Sequence, residues 1–273
     1  MMRPIVLLRS LGAAALATAM SVGPASAADQ APAATPACPQ GSLFAVIDGT
    51  TGLPAACPVA AGTLLLESLY YQNASRTGGS ALAAYPMFRL REGLTGRTEL
   101  VLDTPSQIAE SGLDGAGLYP RSSPGFGVNY AFAETSHAAL GLGVEDRPPS
   151  SLFATNLSQP KYAVDVTSLY RLTQTVSLDA LVAGETSRTL GVERVLPAMD
   201  LGVGYDFAPD TELSTDLGTR FVRRRAHSQG FGDFSITQLL RKNLAFDTGI
   251  GTTFNPVSNA KAHYIAAGLD FRH

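Results

Sequence analysis

The stretch Leu201-Gly-Val-Gly-Tyr-Asp-Phe-Ala-Pro-Asp-Thr-Glu-Leu-Ser-Thr-Asp-Leu217 decides the fold, because apolar and polar residues alternate on both sides of a short turn. Leu, Val, Tyr and Phe occupy the odd positions from 201 to 207, whereas Gly and Asp take the even ones. After the turn, Leu213 and Leu217 continue the apolar set against Glu212 and Asp216. Successive side chains of a strand point to opposite faces, so this pattern predicts a β-hairpin with one apolar and one polar face.

The hairpin is one of five related copies, which begin 33 to 40 residues apart at Leu94, Phe132, Leu172, Phe207 and Leu240. Such a period indicates a repeated supersecondary unit. Five hairpins with one further strand at each end give twelve strands. The predicted strands are 63–72, 81–92, 97–104, 124–132, 136–144, 161–171, 175–184, 197–207, 211–221, 231–240, 244–254 and 262–272.

Strand length and loop asymmetry favour a membrane barrel over a soluble sandwich, which also alternates. The strands run to about ten residues, the length that a tilted strand needs to cross hydrocarbon. Short turns on one side and longer loops on the other, such as 104–124 and 146–160, are typical of bacterial outer-membrane proteins. Since hydrocarbon offers no hydrogen-bond partners, the strands must close. We therefore predict an all-β, transmembrane, antiparallel up-and-down barrel with short periplasmic turns.

The segment before the barrel divides into two predicted parts. Residues 1–27 combine early arginines, an apolar run and a small-residue exit at Ala25-Ser-Ala27, the pattern of a cleaved signal peptide and hence of export. Residues 28–62 contain Cys38 and Cys57, which an oxidising compartment would allow to form a disulfide. This extension either folds into the lumen as a plug or hangs in the periplasm. The barrel itself is predicted to span 63–273.

Composition excludes some classes of partner. The formal net charge is −3 and the isoelectric point is about 5.8, so the chain carries no basic footprint for nucleic acid. No motif for a cofactor, for a metal ion or for energy coupling is visible. Outer-membrane lipid, lipopolysaccharide and a small solute are the partners that the predicted fold implies.

The polar strand face is predicted to line an enclosed interior, since one arginine in hydrocarbon costs about 2 to 4 kcal/mol. In one interpretation these residues line a channel and set its selectivity; in the other they pair and fill a small barrel. Twelve strands lie between the sizes that give a filled and an open interior, so both interpretations remain. The candidate residues are Arg89, Arg91, Glu99, Asp165, Arg171, Asp179, Asp200, Asp206, Glu212, Asp216, Arg220 and Asp247.

Two further features suggest partners. Arg223, Arg224 and Arg225 fall in a predicted outer loop, where guanidinium groups suit lipopolysaccharide phosphates, although a solvated loop with stray charge is the alternative. The closing strand alternates through Leu269 and Phe271 and resembles the signal read by the barrel-assembly machinery. His273 stands last, where Phe or Trp is usual.

Three motifs carry a resemblance to a known family, namely the turn repeat, Gly230-Phe-Gly-Asp-Phe-Ser-Ile236 and Gly268-Leu-Asp-Phe-Arg272. Together they resemble the outer-membrane transporter family of the meta pathway of phenol degradation. The resemblance covers most of 63–273. It implies a channel for passive inward passage of a small, often aromatic or apolar, solute. It brings no catalytic residues.

Two alternatives belong to other functional classes. An outer-membrane phospholipase also uses a twelve-stranded barrel and displays a His-x-Ser pair, but His137, His227, His263 and His273 all lack that spacing. A structural or adhesive barrel predicts large repetitive outer loops, and those here are modest. We therefore expect a channel rather than an enzyme.

Overall fold

The residues that the computed structural model describes lie within Thr35–His273. The predicted signal segment 1–27 lies outside the described residues. These are 37–39, 42–48, 53–75, 81–104, 107–111, 117–120, 124–147, 161–189, 192–222, 227–255 and 260–273.

Antiparallel β-strands dominate the described chain. They are β1 (Leu64–Ser75), β2 (Ala81–Gly93), β3 (Thr98–Asp103), β4 (Gln107–Ser111), β5 (Gly117–Pro120), β6 (Gly125–Glu134), β7 (Ala138–Arg147), β8 (Lys161–Arg171), β9 (Val176–Thr189), β10 (Val192–Ala208), β11 (Thr211–Val222), β12 (His227–Arg241), β13 (Leu244–Asn255) and β14 (Ala260–Arg272). No helix in the described parts of the chain is long and apolar enough to cross a membrane.

The sheet closes on itself. β1 pairs with β2 on one side and with β14 on the other, in a register that runs from Leu65↔Arg272 to Ser75↔Ala262. This closure satisfies backbone groups that an open sheet would leave exposed at two edges. The result is a closed twelve-stranded antiparallel barrel, as predicted.

Two barrel strands are each divided into two segments, one into β3 and β4 and the other into β5 and β6. Fourteen segments therefore make twelve barrel strands. β2 pairs first with β3, over Arg89–Gly93, and then with β4, over Ala81–Tyr85. The β4–β5 hairpin therefore extends the β3–β6 hairpin. The prediction of 104–124 as a loop was wrong over these two strands. The far end of β2 needs a hydrogen-bonding partner, and β4 supplies it.

The two faces of the barrel have opposite chemistry. Leu201 and Leu217 are each 68% exposed on the outer face, whereas their inward neighbours Asp200 and Asp216 are each 2% exposed. Most large apolar strand residues share this outward exposure, so the predicted alternation is confirmed. An exterior of exposed leucine and an interior of buried carboxylate reverse the arrangement of a soluble protein.

Two aromatic residues depart from this alternation. Phe231 and Tyr264 are buried on the inner face, opposite Gly218 and Gly251. A Cβ on Gly218 would lie 2.3 Å from Cζ of Phe231, and one on Gly251 would lie 2.2 Å from Cζ of Tyr264. The glycines thus allow the rings to lie flat against the neighbouring strand. Some of the space that inward glycines provide is therefore filled by rings.

Charge on the outer face should cost stability in a depth-dependent way. Leu201 lies near the middle of β10, and Leu240 lies outward beside the turn that follows β12. Leu201→Arg is expected to lower the free energy of unfolding by about 2 to 4 kcal/mol and Leu240→Arg by about 0 to 1 kcal/mol. Urea unfolding in lipid vesicles measures both. Equal effects, or none at Leu201, would contradict a lipid-facing exterior.

Candidate functional site

The inner face of the barrel gathers the predicted site residues. The described side chains of this set lie on the inner face of β2, β3, β8, β9, β10, β11 and β13. They belong to Arg89, Arg91, Glu99, Asp165, Arg171, Asp179, Asp200, Asp206, Glu212, Asp216 and Asp247. The backbone of Arg220 pairs with Ala198 and Gln229, but its side chain lies outside the described part of the structure. Arg223, Arg224 and Arg225 also lie outside it.

The described residues 37–39, 42–48 and 53–60, which we call the inner segment, lie inside one end of the barrel. Its residues Leu43, Val46, Cys57 and Val59 are buried in one apolar cluster. Strands from around the circumference contribute to that cluster through Leu65, Ala139, Leu169, Leu239 and Ala245. The predicted disulfide between Cys38 and Cys57 is confirmed and closes the inner segment into a loop. Since β1, β7, β8, β12 and β13 all contact it, the inner segment is enclosed by the wall.

Hydrogen bonds fix the inner segment at the end of the barrel that carries the short turns. The Ala37 amide donates to the Thr135 carbonyl at 3.1 Å, and the Cys38 amide donates to Oε1 of Glu134 at 3.2 Å. Nε of Arg171 donates to the Ala37 carbonyl at 3.2 Å. The start of the inner segment is therefore tied to the turn after β6 and to the last residue of β8.

Arg91 ties both halves of the disulfide loop to the wall. Its side chain is fully buried, and its Nε donates to Oε1 of Glu99 at 2.8 Å. Nη1 donates to the Val46 carbonyl and to Oδ1 of Asp48 at 2.9 Å, and Nη2 donates to the Cys57 carbonyl at 3.4 Å. A guanidinium group presents five donors in a rigid fork, so one side chain can hold several acceptors at once.

The Glu99 carboxylate completes this attachment from β3. Its Oε2 accepts from the Val59 amide at 2.7 Å, and its Oε1 accepts from Nδ2 of Asn129 at 2.7 Å in addition to Arg91. Glu99 has no exposed surface, so its charge depends on these donors for compensation. The pair Arg91 and Glu99 thus fixes both ends of the stretch 46–59.

Asp48 is the acidic partner that the inner segment supplies. It pairs with Nη1 of Arg89 and with Arg91, and its Oδ1 accepts from the Ala55 amide at 2.9 Å. Burial raises the pKa of Asp48, but the Arg91 and Arg89 guanidinium groups outweigh it, so the pKa lies below its ordinary value. The Asp48 amide also donates to Oε1 of Glu67 at 2.8 Å.

Asp48 and Glu67 were missed by the sequence analysis. Glu67 lies inward on β1, where Leu64-Leu65-Leu66 blurs the alternation that would have identified it. Asp48 lies outside any strand, so no periodic signal marks it. Only the short sequence distance to the buried cysteine Cys57 could have suggested that Asp48 enters the barrel.

The opposite side of the lumen is acidic and less filled. A cavity of about 200 Å³ lies there between the inner segment and the wall formed by β8 to β12. The carboxyl groups that line this cavity from the wall are those of Asp179, Asp206, Glu212 and Asp216. No group of three or more His, Cys, Asp or Glu residues in the described chain is arranged to hold a metal ion.

Comparisons with solved structures identify the class of fold. An outer membrane channel from Pseudomonas putida F1 superposes with a TM-score of 0.61 at 13% identity, over 80% of this chain and 98% of that one. The NanC porin superposes with a TM-score of 0.53 at 12% identity, over 76% of this chain and 98% of that one. No protein-family model matches the chain, and no curated protein matches it. The chain therefore has the closed barrel fold of these outer-membrane proteins.

Removing the Arg91 side chain should loosen the inner segment. Arg91→Met leaves Glu99, Glu67 and Asp48 without their shared cation, so we expect the free energy of unfolding to fall by about 3 to 5 kcal/mol. Arg97→Met is the matched control, because Arg97 is exposed in the turn after β2. Urea unfolding in detergent micelles compares the two variants. An equal loss in both would show that Arg91 has no special role.

The attachment through Asp48 should depend on pH with a defined sign. Because the folded state lowers the pKa of Asp48, its ionised form stabilises the fold above the unfolded pKa of 3.8, and that contribution is lost as pH falls through the folded value. Arg89 and Arg91 pair with its carboxylate, and the Glu67 carboxyl group accepts from its backbone amide. The unfolding free-energy difference between wild type and Asp48→Asn is therefore expected to be largest at neutral pH and smaller at pH about 3. A difference that grows on acidification would contradict the assignment.

Proposed function

We propose that this protein is an outer-membrane channel of a Gram-negative envelope and lets a small solute diffuse passively through its lumen. One observation carries the proposal: the closed barrel exposes apolar side chains outward and keeps its ionisable side chains inward. Lipid acyl chains solvate the apolar exterior of the barrel, whereas its polar interior must be kept away from them. A polar lumen across a bilayer provides a path for solutes that the bilayer itself excludes.

The names of the structural neighbours support this class of function. The P. putida protein is an outer membrane channel and NanC is a porin. The resemblance of the turn repeat to the meta-pathway transporter family adds an expectation about cargo, namely a small aromatic or apolar solute. The same proposal includes export by the signal peptide 1–27, insertion through the closing strand β14, and contact of Arg223, Arg224 and Arg225 with lipopolysaccharide phosphates.

We further propose that the inner segment acts as a plug that narrows the lumen. Its attachment to Arg91, Glu99 and Arg171 and its disulfide loop support this role. The acidic wall of β9 to β11 then forms the side of the remaining passage. Charged residues beside a narrow passage are well placed to set selectivity, because their field is strongest where the pore is narrowest.

Conductance in planar lipid bilayers tests both parts of the proposal. The refolded mature chain is expected to conduct ions, and a variant that lacks residues 28–60 is expected to conduct several-fold more, because the plug is removed while β1 is kept. Heat-modifiable migration on gels checks that each variant has formed its barrel. No current through either folded protein would contradict a channel. Equal currents would contradict a plug.

A further inference from the structure

The cavity beside the inner segment has the size of a site for one small molecule. Its volume of about 200 Å³ equals that of about seven waters. It is smaller than the cavities of roughly 300 Å³ or more that hold drug-sized ligands. Two elements build it: the inner segment on one side, and the wall of β8 to β12 on the other.

The charge around this cavity is strongly unbalanced. Asp179, Asp206, Glu212 and Asp216 line it from the wall, and within the described chain Arg171 is the one cationic residue that lines it. Asp48 also lines it, but Asp48 is paired with arginines on β2. Low-dielectric walls focus the field of like charges, so the cavity attracts cations and repels anions.

The wall also places a hydroxyl group at the cavity. Thr237 is 7% exposed, lies on the inner face of β12 and lines the cavity. A hydroxyl oxygen accepts hydrogen bonds, so this side chain offers an acceptor to an ammonium group in the cavity.

The inner segment gives the cavity an apolar side. Phe44, Ile47 and Leu53 line it opposite the carboxyl groups. A molecule that satisfies both sides carries a positive charge at one end and a compact apolar body at the other. An aromatic ring such as Phe44 is itself compatible with a nearby cation.

We propose that this cavity binds small primary amines in their ammonium form, with the ammonium group beside Glu212 and Thr237 and the apolar body against Phe44 and Leu53. The proposal rests on the proposed function, since the lumen is the route by which an amine reaches the cavity. It adds a class of solute, the small organic cation, to the small aromatic or apolar solutes that the sequence resemblance implies.

Isothermal titration calorimetry of the full mature protein in detergent tests the binding site with three probes of matched shape. Benzylammonium is expected to bind at least tenfold more tightly than benzyl alcohol, which lacks the charge, and than benzoate, which reverses it. Equal affinity for benzylammonium and benzyl alcohol would overturn the proposal.

Variants locate the site. Glu212→Gln and Thr237→Val are each expected to weaken benzylammonium binding, Glu212→Gln by at least tenfold. Glu145→Gln is the control, because Glu145 lies on β7 and does not line the cavity. An equal loss in Glu145→Gln, or unchanged affinity in a folded Glu212→Gln protein, would show that the amine does not bind here.

Calorimetry separates this proposal from the proposed function, because binding does not require conduction. Amine binding without any bilayer current would refute the channel and leave the site in place. Current without amine binding would refute the amine site and leave the channel in place. If both hold, benzylammonium added to the bilayer chamber is expected to block current through wild type and to block Glu212→Gln less, and equal block would overturn the proposal.

Discussion

Closure of the sheet between β1 and β14 is the constraint on which the rest of the structure depends. Eleven consecutive residue pairs join these strands, from Leu65↔Arg272 to Ser75↔Ala262. In hydrocarbon an unpaired backbone group costs several kcal/mol, so a sheet with open edges could not span a bilayer. Once the sheet is closed, the two-residue period of each strand separates the side chains into a lipid face and an enclosed face.

The enclosed face then has to accommodate charge, and it does so differently on its two sides. On the side of β2 and β3, Arg91 and Glu99 bind the backbone and side chains of the inner segment, so buried ions compensate one another. On the side of β8 to β12, carboxyl groups border a cavity instead. The first side fixes the inner segment, and the second leaves room for a solute. The attachment of the inner segment and the acidic cavity thus lie on opposite walls of one barrel.

The sequence predicted most of the fold because alternation is a local signal. The hairpin around Pro209 and the disulfide between Cys38 and Cys57 both followed from nearby residues. The interruption after β3 was not predicted, since the strand that continues it begins after residues without alternation. The site was predicted only in part. The alternation along β2 predicted that Arg91 lies on the inner face, but its partner Asp48 lies 43 residues away in sequence and outside any strand. Such contacts depend on the closed barrel, not on local pattern.

Spin labels at two neighbouring residues of β9 test the central claim, the sidedness of the barrel, most directly. Val182 is 56% exposed on the outer face, and Ala183 follows it on the inner face at nearly the same depth. In lipid vesicles, a label at Val182→Cys is expected to be relaxed strongly by oxygen, which partitions into lipid, and weakly by a water-soluble nickel chelate. A label at Ala183→Cys is expected to show much less oxygen contact. A Val182 label that contacts nickel more than oxygen, or neither reagent, would contradict a barrel whose apolar face meets the membrane.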